Sequence, residues 1–179
     1  MLLDPKEPLT SAEVISSTLV FGLLACLLSI PLILMQHQTL FSESWVALTT
    51  ASTVFWGIVS MLAFKYFWRS YYEYFYPPWV RRLLPLNLVT YGLMTLGMWI
   101  LVKRFALNYV MYFLVLGGFE GIAEHIIGIY SLGILEKVPW LKGLDPLPIF
   151  VFSFVEYVFY WSLVVWLALA FQTIIQAFS

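Results

Sequence analysis

Polar and apolar positions along the chain fall into long blocks. Five apolar stretches are separated by short polar or aromatic clusters. A helix that crosses a bilayer needs about 20 mostly apolar residues, with a range of about 17–25. The first stretch of that kind runs from about Glu13 to Met35. Thr10 and Glu13 make a T-x-x-E capping box at its start, and Pro31 sits near its end, where it is expected to kink the helix. The second runs from about Ser44 to Phe64, with Lys65 and Arg69 beyond it. The third is short, from about Leu86 to Val102, and stops at Lys103-Arg104. The fourth runs from about Asn108 to Leu135. The fifth opens at Asp145-Pro146, an acid at the N-cap followed by proline at the first helical position, and continues to about Ile175.

The pattern predicts an all-α integral membrane protein, one transmembrane domain over 1–179 with five helices. The stretch 66–85 is expected to lie at the membrane surface. It reads Tyr-Phe-Trp-Arg-Ser-Tyr-Tyr-Glu-Tyr-Phe-Tyr-Pro-Pro-Trp and carries Arg69, Trp79, Arg81 and Arg82. Tyr and Trp prefer the headgroup level, and arginine reaches the phosphates from just below it. Pro77-Pro78 ends any continuation of the second helix.

Composition sharpens this picture. Hydrophobic residues make up 62% of the 179 and charged ones 11%. A soluble domain is about 45–50% apolar and about 25% charged, so a water-facing surface is excluded. Lys and Arg number nine against ten Asp and Glu, a formal charge of −1. No basic excess exists to hold a phosphate backbone, so nucleic acid is not an expected partner. The loops leave no room for a nucleotide-binding domain. Cys26 has no second cysteine to pair with and is expected to pack as a small hydrophobe. Basic residues near the spans set orientation. With the N-terminus inside, Lys6, Lys65, Arg69, Arg81, Arg82, Lys137 and Lys142 lie inside, and Lys103 and Arg104 outside. Five spans then put the C-terminus outside. The start lacks a signal peptide's basic region and cleavage site, so the first span is expected to be retained. The expected setting is the cytoplasmic membrane of a prokaryote.

Four ionisable side chains fall inside the expected spans: Glu120, Glu124 and His125 on the fourth, Glu156 on the fifth. Such residues are costly in a bilayer and are functional candidates by default. Their placement is ordered. Stepping about 100° per residue from Glu120 puts Glu124 at about 40°, Gly117 at about 60°, Gly121 at about 100°, His125 at about 140° and Gly118 at about 160°. Bulky Phe119, Ile122, Ile126, Ile127, Ile129 and Tyr130 take the opposite arc. The small face is where a second helix approaches closely. On the fifth helix, Tyr160, Ser153 and Tyr157 share the side of Glu156 and are the expected supporting residues. At about 1.5 Å per residue, Glu124 and Glu156 both lie about 16 Å from one membrane edge. An antiparallel hairpin therefore brings Glu124, His125 and Glu156 to one level, with Glu120 a turn further on.

Three chemistries could use this cluster. Carboxylates and imidazole suit a transition metal such as iron, zinc, copper or manganese. Diiron bundles supply Glu-x-x-His twice, whereas this chain has Glu-x-x-x-Glu-His once, so a full dinuclear site is not expected in one chain. Paired carboxyls can instead hold and relay protons. A carboxylic acid with His125 as base could also act on a lipid or isoprenoid substrate. The structural alternative is an accessory subunit whose acids bond to Tyr157, Tyr160 or Ser153 and fix helix packing. Expected partners are the lipid bilayer and other membrane subunits or further copies of the chain.

Overall fold

The computed structural model describes residues 11–35, 45–59, 82, 84–105, 108–131 and 146–178. Every element among them is helical, and no strand occurs. The first helix, α1, spans Ser11–Met35 and runs four residues past Pro31 without a break. Helix α2 spans Trp45–Ser52 and continues as a wider π-helical stretch, Thr53–Val59. A single 3-10 turn, Leu84–Leu86, leads into α3, Asn87–Phe105. Helix α4 covers Tyr109–Ile126 and also widens into a π-helical end, Ile127–Ser131. Helix α5 spans Pro146–Ala177, with proline at the first position, where the missing N–H costs nothing. Its 32 residues extend for about 48 Å at about 1.5 Å each.

Among the described residues, two stretches are long and apolar enough to cross a bilayer, Val14–Met35 and Leu147–Ala177. Trp45–Ile58 is apolar but shorter. The expectation of five spans is thus met on length and apolarity by two. Residues 60–64 of the second expected span lie outside the described residues, and polar side chains interrupt the third and fourth. Helix α4 carries Glu120, Glu124 and His125, and α3 ends in Lys103-Arg104. The two apolar helices are evidence of membrane association. So is the outer face of α1, where Leu19, Leu23, Leu27 and Leu34 are all at least 60% exposed. Cys26 shares that exposed face, which corrects its expected packing. The apolar character of α1 continues all round, so no buried stripe claims that position.

Helix α5 is the axis of the molecule. It packs against α1, α2 and α4, while α3 packs against α2 and α4. Fully buried Trp161, Val164 and Val165 face Phe113 and Leu114 of α4 and Leu48 and Ala51 of α2. On the α1 side, Phe21 meets the edges of Phe152, Phe159 and Tyr160, and Trp166 Nε1–H donates to the Leu28 carbonyl at 3.1 Å. Helices α2 and α3 are joined by hydroxyls. Ser52 and Thr95 lie 2.6 Å apart and share the Tyr91 carbonyl, at 3.3 and 2.6 Å. Other hydroxyls bond back to their own helix: Thr18 to Val14, Thr49 to Trp45, Ser153 to Ile149, Ser162 to Val158. That habit satisfies polar side chains where water is scarce.

Candidate functional site

The glycines of α4 set the geometry of the site. A Cβ at Gly117 would stand 2.2 Å from Trp161, one at Gly118 2.5 Å from Phe154, and one at Gly121 2.3 Å from Tyr157. No residue larger than glycine fits without a shift. The partners descend along α5 as the glycines ascend α4 in the pairs Gly117–Trp161 and Gly121–Tyr157, so the two helices run antiparallel. Large aromatics of α5 sit in the groove of α4, and the acids beside the glycines are drawn into the same contact.

Glu124 is gripped from two sides. Tyr91 of α3 donates its hydroxyl proton to Oε1, and Tyr157 of α5 donates to Oε2 at 2.6 Å. One carboxyl therefore ties three helices together. Glu120, one turn earlier on the same face, accepts the Trp161 Nε1–H on Oε2 at 3.1 Å. Its Oε1 is buried and receives no donor. The Glu120 carboxyl lies within hydrogen-bonding reach of the Glu124 carboxyl. Two carboxylates only accept, so that contact becomes a hydrogen bond when one of them carries a proton.

The other expected members are arranged differently. Glu156 accepts from Tyr160, one turn on along its own helix, at 2.8 Å. It stays close enough to Glu124 for their charges to interact. His125 donates from Nδ1 to the Gly121 carbonyl at 2.9 Å, and its ring meets the edge of Tyr157 at 5.9 Å. Ser153 is fully buried but bonds to its own helix and touches no carboxyl oxygen. Among the described residues, no three of His, Cys, Asp and Glu form a group able to hold a metal ion. The reason is visible in the bonds: Glu124 spends both oxygens on phenols, Glu156 turns to Tyr160, and His125 turns back to the backbone. Arg82 is exposed just before the 3-10 turn. Arg69, Trp79 and Arg81, with the rest of the interfacial stretch up to Leu83, lie outside the described residues. So do Thr10, Asp145 and the basic residues Lys6, Lys65, Lys137 and Lys142.

Sequence reasoning missed three members of the site: Tyr91, Trp56 and Trp161. Trp56 comes from the π-helical end of α2 and is 6% exposed. Its ring stacks on Tyr91 at 4.7 Å and 11°, and on Tyr157 at 5.3 Å and 28°. It also lies 5.7 Å from Trp161. A signal for Trp161 was present. Tyr157 and Trp161 are spaced i, i+4, as are Gly117 and Gly121, which is the spacing of one large ridge against one small groove. A buried tyrosine needs a partner for its hydroxyl, which also marks Tyr91. No family model, no curated protein and no solved structure matches this chain.

Proposed function

We propose that the chain is a small polytopic membrane protein that crosses the bilayer five times. Its α4–α5 hairpin holds a proton shared between Glu120 and Glu124. Its partners are the bilayer and other membrane subunits or further copies of itself, within which the carboxyl pair stores or passes that proton. The N-terminus lies inside and the C-terminus outside. The observation that carries the reading is the contact between two carboxyls one turn apart, with Glu120 Oε1 buried and reached by no donor. Like charges at that range cannot both persist, and one shared proton relieves the repulsion and satisfies the orphan oxygen. Intramembrane carboxyls mark proton relays in many membrane proteins.

A second reading, that of a non-catalytic accessory subunit, is favoured by Glu124 itself. Its two phenol bonds join α3, α4 and α5, as a packing lock would.

Infrared spectra of the chain in lipid bilayers separate the two. The proton reading expects a protonated-carboxyl band that shifts in D2O and is lost or displaced in E120Q and E124Q, with E156Q as control. Variants that stay folded while the band changes support it. Absence of any such band in the parent protein leaves the packing lock. Metal content is measured on the same samples. A stoichiometric metal in the parent that is lost in E124Q would replace the proton by a metal ion.

A further inference from the structure

Resting on the shared-proton reading, we infer that Trp56, Tyr91 and Tyr157 act as positioning residues that make Glu124 the ionised member of the pair and leave the proton on Oε1 of Glu120. The argument starts from donors. Glu124 receives an O–H donor on each oxygen, from Tyr91 and from Tyr157. Hydrogen bonds given to a carboxylate favour its charged form. Glu120 receives one donor, the Trp161 N–H, and only on Oε2. Its Oε1 is the oxygen left over. A proton placed there turns an unsatisfied acceptor into a donor. The opposite placement is worse on every count. A proton on Glu124 would compete with a phenol for an oxygen that already has its donor. Glu120 would then be an ion with one buried oxygen unbonded.

Trp56 explains why both phenols arrive at one carboxylate. Tyr91 and Tyr157 belong to different helices, α3 and α5, and nothing in either helix sets their separation. The indole of Trp56 fills the space between their rings and stacks on both. Among the described residues its Nε1–H has no hydrogen-bond partner, and stacking is what holds it in register. The π-helical stretch Thr53–Val59 presents it. Such local widenings of a helix recur where a side chain must be aimed at a site.

The test is carbon NMR of the full-length chain in bilayers, with glutamate labelled at the carboxyl carbon. The two resonances are assigned by their loss in E120Q and E124Q. The expected pattern is a protonated shift for Glu120 and an ionised shift for Glu124. Y91F and Y157F remove one donor each and should draw the two shifts toward each other, and the double variant should merge or exchange them. Trp56→Ala should reproduce the double variant, while Trp56→Phe, which keeps a stacking ring, should restore the parent pattern. A purely structural role would lower stability without moving the carboxyl shifts. If the protonated resonance is the one lost in E124Q, the assignment is overturned and the shared proton survives. If both carboxyls are ionised, the shared-proton reading itself fails. If Trp56→Ala folds and keeps the parent shifts, Trp56 is not a positioning residue. Should it fail to fold, Y91F, which leaves the indole in place, still decides the donor argument.

Discussion

At the scale of single residues, the molecule turns on the absence of side chains as much as on their presence. Gly117 is the clearest case, because Trp161 is fully buried and occupies the place of any Cβ there. Gly117→Ala should destabilise the fold by about 1–3 kcal/mol, the usual cost of overpacking. A lowered unfolding midpoint in detergent, followed by circular dichroism, checks it. Gly97 on α3 is the matched control, since a Cβ there meets nothing within 4 Å. Gly97→Ala should leave stability unchanged or raise it by up to about 1 kcal/mol through helix propensity. Equal losses in both variants would show that the close fit at Gly117 is not what matters. The acids and glycines of α4 were legible in the sequence because they share a helix, and a helix fixes their relative angles. Of their partners, Tyr157 was among the expected supporting residues, whereas Tyr91 and Trp161 were not.

Between elements, two kinds of glue operate. Helices α4 and α5 use small-to-large packing, and α2 and α3 use hydroxyls. Buried Thr95 and Ser52 are the second kind. Thr95→Val keeps the volume and removes the bond. It should cost about 0.6 kcal/mol, the average for such bonds between membrane helices, and at most about 1.7. Thr173→Val removes only an exposed bond to the Leu169 carbonyl of its own helix and should change nothing measurable. A double-mutant comparison with Ser52→Ala tells whether the Thr95 loss belongs to that pair. A fixed rise per residue placed Glu124 level with Glu156 in the sequence reading. The structure sets Tyr157 against Glu124, one residue beyond Glu156. One residue is about 100° of rotation, and the sequence gives no reference direction for the rotation of α5 against α4.

For the whole molecule, the prediction that matters is topology. On the proposed five-crossing topology the two termini lie on opposite sides, with the N-terminus inside. A periplasm-active reporter fused after Ser179 should be active, and a cytoplasm-active one should be silent. The same reporters fused after Phe105 should give the outside result as well, because three crossings separate that point from the N-terminus. A C-terminus found inside would mean that one of α2, α3 or α4 does not cross, and the five-span reading would fall. Glu120, Glu124 and His125 weaken α4 as a lipid-facing helix, and α5 shields it.

The sequence by itself determined the class of the chain: helical and strongly apolar, with Glu120, Glu124 and His125 on one helix beside a glycine face. These are local properties, set by composition and by the fixed step of a helix. Tertiary structure alone decided which further side chains gather around the acids. Tyr91, Trp56 and Trp161 come from three different helices, and they reach the carboxyl pair only once those helices have taken their rotations and crossings. Packing fixes those angles collectively, through contacts such as Gly117 on Trp161, so no stretch of the chain encodes them separately.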